Sequence, residues 1–302
     1  MSAPIAFFAY NRPEHTRMAL EQLSRANGAN QATLYIFCDG PKAGALPEEQ
    51  EKIEQVRKVA RSQKWCREVI IREADTNLGL TRSIAEGITE VVNKHGTIIV
   101  VEDDILIGKH FLDYCNAALI QYANNEEVMH IGGFLYPSSQ KFNAPFFTHH
   151  VLVWGWATWK RAWNHFSLDT GTFISQLNSP EIVSNFNIKN KNGYYDFLMR
   201  QHNKEINTWD ICWYASVFFN NGISLYPSSS IIQNIGIDSS GTHWTGNHSV
   251  TLPQAADYNP IPNNWPTPTV IDINEDTVNN DLEAWLKPSL VQRVIDKIKS
   301  LV

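Results

Sequence analysis

At 302 residues, 43% apolar and 19% charged, the chain can bury a full core as one large domain or two intimate lobes. A net charge of −6 argues against general nucleic-acid binding. No stretch approaches the about 18 apolar residues of a membrane-spanning helix, and Cys38, Cys66, Cys115 and Cys212 are too scattered for a zinc site or a disulfide scaffold, which points to a reducing, cytoplasmic compartment.

Residues 4–10 read as a first strand rather than a signal peptide, because no basic region precedes their apolar run. The turn Asn11-Arg12-Pro13 leads into a helix over 14–25 with Thr16, Ala19, Leu20 and Leu23 on one face. Residues 33–38 form a second strand ending at Asp39-Gly40-Pro41. A helix over 47–63 starts on Pro47 and turns Ile53, Val56 and Ala60 inward. Residues 69–72 make a third strand. After the turn 76–79, Leu80, Ile84, Ile88, Val91 and Val92 mark a helix. A β-branched run over 97–101 is the fourth strand, and strands alternating with helices imply a mostly parallel sheet.

Glu102, Asp103 and Asp104 follow that strand directly. Three adjacent like charges repel one another and lose solvation if enclosed, and a divalent cation bridging to a phosphate relieves both penalties. A solvated acidic turn is the alternative, but carboxyl ends of strands are where open α/β sheets bind ligands. The earlier turns offer partners at the same edge. Arg12 suits a phosphate or a base edge, or is an exposed turn arginine. Asp39 can accept hydrogen bonds from a nucleobase or ribose, or simply close its turn. Asn77, with Gly79 allowing close backbone approach, and Arg82 in the first turn of the next helix complete the set.

Beyond the acids, a helix near 108–122 and a strand over 128–131 ending at Gly132-Gly133 are expected. Residues 151–159 are aromatic and glycine-broken, 164–192 are polar, and 193–203 look helical. Trp209-Asp210 opens a helix that buries Trp209, Trp213, Ser216 and Val217, and short strands follow at 223–226 and 231–234. Residues 253–270 read as a surface strap rich in Pro and Asn. The last segment, 288–302, is an amphipathic helix, either docked on the protein or attracted to anionic lipid as a peripheral membrane contact.

The segments Tyr10-Asn11-Arg12-Pro13, Asp39-Gly40-Pro41, Asn77-Leu78-Gly79-Leu80-Thr81-Arg82 and Glu102-Asp103-Asp104 together resemble the nucleotide-sugar half of a glycosyltransferase with the GT-A fold. The acid triplet is similar to that of N-acetylglucosaminyltransferase I relatives, and residues 154–159, Trp-Gly-Trp-Ala-Thr-Trp, to a segment of bacterial glycosyltransferase-like proteins. The resemblance implies an α/β fold of GT-A type, a mostly parallel central sheet with helices on both faces and an aromatic-rich acceptor half. It implies a nucleotide-sugar half at 1–104, an acceptor and catalytic half at 105–252, a strap or linker at 253–287 and the terminal helix at 288–302.

The implied activity is metal-dependent, inverting transfer from a UDP-sugar to a glycan or lipid-linked saccharide, in bacterial surface-glycan assembly. Asp104 would hold Mn2+ or Mg2+, Asp103 would face ribose or metal, and Glu102 would support the site or touch the donor sugar. Asp39 would read uracil, with Arg12, Asn77 and Arg82 lining the nucleoside pocket. Asp210 would be the catalytic base, ahead of Asp196, although Ile211 stands where relatives often carry a second acid. His243 would add a metal ligand or phosphate contact from a polar loop, against an ordinary loop histidine. Trp154, Trp156 and Trp159 would form an acceptor platform, against a core or hinge role. A sugar-phosphate nucleotidyltransferase is the alternative enzyme, disfavoured by the lack of a Gly-rich basic loop after the first strand. A catalytically silent sugar- or membrane-binding protein is the alternative outside enzymes.

Overall fold

The computed structural model describes residues 2–138, 141–237 and 254–286. In chain order the elements are β1 (Ile5–Ala9), α1 (Pro13–Arg25), β2 (Thr33–Cys38), α2 (Pro47–Arg61), β3 (Glu68–Glu73), α3 (Leu80–His95), β4 (Thr97–Glu102) and β5 (Ile105–Ile107). There follow α4 (Phe111–Gln121), β6 (Val128–Gly132), β7 (Phe146–Thr148), β8 (Trp156–Trp159) and the short α5 (Lys160–Trp163). The remainder comprises α6 (Thr170–Gln176), α7 (Pro180–Phe186), α8 (Tyr194–His202), α9 (Asp210–Phe219), β9 (Ile223–Tyr226), β10 (Ile232–Asn234) and α10 (Asp272–Leu286).

One sheet runs β3-β2-β1-β4-β8-β6-β9-β7. Its first four strands are parallel, as βαβ crossovers require. β8 then inserts antiparallel between β4 and β6, β9 runs parallel to β6, and β7 closes the edge antiparallel to β9. This is the expected α/β architecture with a mostly parallel central sheet.

Alternation along the strands decides which helices cover which face. Ile5, Phe7, Leu34, Ile36, Ile99 and Val101 face Leu20 and Leu23 of α1, Val56 of α2 and Cys115 of α4. Ala6, Phe8, Tyr35, Phe37, Ile98 and Val100 face Ile84 and Ile88 of α3 and the aromatic helices α5 to α9. The inward residues expected for the helices of the first half are buried, with one exception. Leu80 is 36% exposed, because it opens the first turn of α3 beside the cleft described below.

The second half contains elements the sequence did not reveal. The stretch read as polar, 164–192, holds α6 and α7, capped by Asp169 and Ser179. The segment read as a strap or linker, 253–287, contains α10, whose buried positions Glu275, Val278, Asn279 and Leu282 follow helical spacing. Glu and Asn on the inward face hide its amphipathicity. Val278 joins Leu135, Phe146 and Tyr226 in a small core of its own. No helix among the described residues is long and apolar enough to cross a membrane. The terminal segment 288–302 lies outside the described residues.

Candidate active site at the carboxyl end of the sheet

The parallel order β2-β1-β4 brings three strand ends to one edge. Phe8 of β1 lies level with Glu102 of β4, so Arg12, just past β1, falls beside the acids just past β4. Arg12 Nη2 donates to Asp103 Oδ1 in a short ion pair and to Asp104 Oδ2 at 3.0 Å. Burial opposes the guanidinium charge, but the two aspartates overcome it and raise its pKa above the ordinary value.

Arg12 does not balance the cluster. Glu102 is half-buried by surface area yet densely surrounded, and desolvation together with Asp104 and Asp103 pushes its carboxyl well above the ordinary carboxylate value; the charge of Asp210 adds to the shift. Asp103 is buried, and desolvation raises it to about 6 against the pull of Arg12. Two of the acids therefore pair with Arg12, while Glu102 feels both of them and Asp210.

Asp210 arrives from the other half of the chain. The preceding loop is tied to the first turn of α3, where Thr81 Oγ1 donates to Asn207 Oδ1 at 2.8 Å. Asp210 is the first residue of α9, where the helix dipole favours an anion. Its Oδ1 accepts from Thr208 Oγ1 at 2.5 Å and from the Ile211 N–H at 2.7 Å. Burial raises the Tyr136 phenol and the nearby Asp210 charge adds to the shift, and the ring packs at 6.5 Å from Trp154. Tyr136 was not singled out in the sequence, and nothing in its local pattern marks it.

A cavity of about 170 Å³ lies at this edge, lined by Tyr10, Arg12, Asp39, Asn77, Glu102 and Asp103 among others. Asp39, expected to read a base, is committed elsewhere. Its Oδ1 accepts from the N–H groups of Gly40 and Leu78, both at 2.8 Å. Its Oδ2 accepts from Asn77 Nδ2 at 3.0 Å and from the Gly79 N–H at 3.1 Å. A carboxylate has about four acceptor sites, so Asp39 is filled and acts as the clasp of the turn before α3. Gly79 holds φ +78 there, a conformation that favours glycine. Asn77 Oδ1 has no hydrogen-bond partner among the described residues.

Arg82 is exposed and paired with Glu86 at 2.7 Å, one turn along α3, and it does not line the cavity. The aromatic platform also does not form. Trp156 is fully buried and Trp159 is 4% exposed. The two lie on opposite faces of β8, in separate cores, because positions three apart in a strand point oppositely. Trp154 is half-buried against Phe134 at 4.7 Å. Asp196 lies in the first turn of α8.

β10 pairs antiparallel with β5, and the Ile235 N–H donates to Asp104 O at 2.8 Å. Gly236 then passes the acid turn so closely that a Cβ there would lie 2.3 Å from Asp104 Oδ2. His243 lies outside the described residues.

The donor set suits a hard divalent cation in kind, being carboxylate oxygen, and in charge, since one guanidinium leaves the cluster under-compensated. Among the described residues no group of three or more His, Cys, Asp or Glu side chains is arranged to hold a metal ion. Ions of the Mg2+ type need only one or two protein carboxylates, completing their shell with substrate phosphates and water.

No protein-family model matches the chain, and no curated protein matches it. Among solved structures it is similar to the crystal structure of S. aureus TarS, with 13% identity over 43% of this chain and a TM-score of 0.31. The chain spans 21% of the length of that protein. A likeness this slight leaves the chemistry to be argued from the residues.

Proposed function

We propose that the chain is a metal-dependent inverting glycosyltransferase that moves a sugar from a UDP-sugar to a glycan or lipid-linked saccharide. The observation that carries this reading is the acid cluster at the carboxyl end of the sheet, where Arg12 pairs with Asp103 and Asp104, and Glu102 feels the charges of both and of Asp210. The sequence resemblance supplies the reaction class and the preference for UDP.

In this reading Asp104, with Asp103, holds Mn2+ or Mg2+ against the donor diphosphate. The bound ion supplies charge stabilisation for the departing diphosphate. Arg12 keeps the two aspartates paired and offers its guanidinium to a phosphate oxygen when the donor is bound. Asp39 clasps the turn before α3, and Asn77 Oδ1 accepts from the base. Asp210 takes the proton from the acceptor hydroxyl as that oxygen attacks the anomeric carbon opposite the leaving group. Glu102 supports the site beside the aspartates, and Trp154 with Tyr136 forms the acceptor wall.

Calorimetric titration of the purified chain with UDP, with Mn2+ and with EDTA tests the reading. Binding that requires Mn2+ and is lost in Asp104→Ala supports it. Asp210→Asn should keep UDP affinity and lose transfer. Metal-independent affinity unchanged by Asp104→Ala removes the metal role. No binding to UDP, GDP or dTDP would favour the silent-binding alternative, which the Arg12 bridge across both aspartates would suit.

A further inference from the structure

A second cavity opens at the opposite end of α9. Asp210 is the first and Phe219 the last of its 10 residues, so roughly 14 Å of helix separates the acid cluster from this place. The cavity measures about 640 Å³, within the roughly 300–1,000 Å³ typical of small-molecule sites. Half-buried Phe218 and Phe219 line its apolar side.

Its polar lining mixes ionisable groups with carboxamides, among them Asn178 after α6, Asn185 in α7 and Asn221 after α9. None of these three side chains makes a hydrogen bond among the described residues. The charged groups, in contrast, are committed. Lys189 pairs with Asp272 at 3.1 Å. Glu275 is 1% exposed, accepts from the His149 N–H at 3.1 Å and lies 3.6 Å from His149 Nδ1. An anionic ligand finds no unpaired cation on these walls, and an apolar one would strip water from the amides.

Backbone conformation singles out the same walls. Ile188, Lys189 and Asn221 line the cavity at φ +47, +58 and +51. A β-branched residue at positive φ is an outlier, and such strain concentrates where a ligand is held.

We propose that this cavity binds a neutral oligosaccharide. Each carboxamide carries a donor and an acceptor on one plane, which matches a pair of neighbouring hydroxyls. Phe218 stacks on Tyr214 and Phe219 on Phe173, and what these half-buried rings leave exposed meets the C–H groups of the sugar. The proposal stands without the transfer reading, and its test uses no transfer readout.

Maltotriose and triacetylchitotriose are titrated into the full chain, followed by saturation-transfer NMR and calorimetry, with glucose 6-phosphate as the anionic comparison. At least one neutral trisaccharide is expected to bind. Asn178→Ala with Asn185→Ala, both at exposed positions, should weaken it about tenfold or more with unchanged Tm. Asp210→Asn should leave that affinity unaltered. The proposal is overturned if neither trisaccharide binds, if affinity survives the double substitution, if Asp210→Asn abolishes it, or if glucose 6-phosphate binds more tightly than both.

Discussion

Two polar centres sit against the same sheet and are built on opposite terms. At the carboxyl end, Asp103 and Asp104 share Arg12, and burial drives Glu102 and Asp103 toward protonation. On the aromatic face, His130 is fully buried between β6 neighbours, stacked on Trp156 at 5.1 Å. Its Nδ1 accepts from Trp213 Nε1 at 3.3 Å, which leaves Nε2–H to donate to Leu152 O at 3.1 Å. Burial lowers its pKa to about 3, so the ring is neutral. Trp156 Nε1 and Ser224 Oγ, the latter level with His130 on β9, are buried there without a partner among the described residues. The second centre has settled its charge by giving it up and serves packing. The first crowds acids so closely that burial and mutual repulsion favour protonation, a penalty that a bound cation would relieve.

The contrast can be broken most forcefully through the aromatic centre. Trp213→Ala empties a fully buried site and should cost about 3–5 kcal/mol in urea unfolding. A loss below about 1 kcal/mol would mean that this face does not hold the fold. Asp39→Ala comes next, since it orphans the donors of the turn before α3. It should cost about 2–3 kcal/mol, marking Asp39 as a structural acid beside a functional cluster. A variant with wild-type Tm would return Asp39 to ligand binding.

His130 sharpens the comparison through pH. Its folded value of about 3 lies below the ordinary 6.5, so between these values the unfolded chain takes up a proton that the folded chain refuses. Its contribution is complete above pH 6.5 and is lost as pH falls toward 3, at about 1.4 kcal/mol per pH unit. Chemical denaturation at several pH values should show a shallower slope in His130→Gln, and an unchanged slope would dismiss the buried neutral ring. Glu102→Gln carries the opposite sign. Removing one charge from a crowded cluster should stabilise the fold by up to about 1 kcal/mol while impairing donor binding. Arg82→Ala should do least, within about 0.5 kcal/mol and with UDP affinity intact; a weaker affinity would bring Arg82 back to the site.

Most of the first half was legible, because apolar periodicity and turn chemistry agree there. The strand preceding the acids, and the position of Arg12 and Asn77 at the same edge, follow from alternating strands and helices. What the local pattern could not show was occupancy. Asp39 and Arg12 meet their partners across 38 to 92 positions of sequence, and only folding reveals which acceptors are spent. The tryptophan platform failed for a readable reason, since Trp156 and Trp159 differ in strand parity. The capping residues Asp169 and Ser179, the latter before Pro180, were signals for α6 and α7 that the polar composition masked. α10 stayed hidden because two of its inward residues are Glu275 and Asn279.

Arg12 and Asp103 are separated by 91 residues yet come from neighbouring strands. The seam between β1 and β4 must therefore close over a long loop, a slow and entropically costly event. No nascent segment that stops short of β4 can carry the charged centre. Ligand affinity then reports on completion of the fold, and refolding followed by nucleotide binding should lag behind refolding followed by helix content.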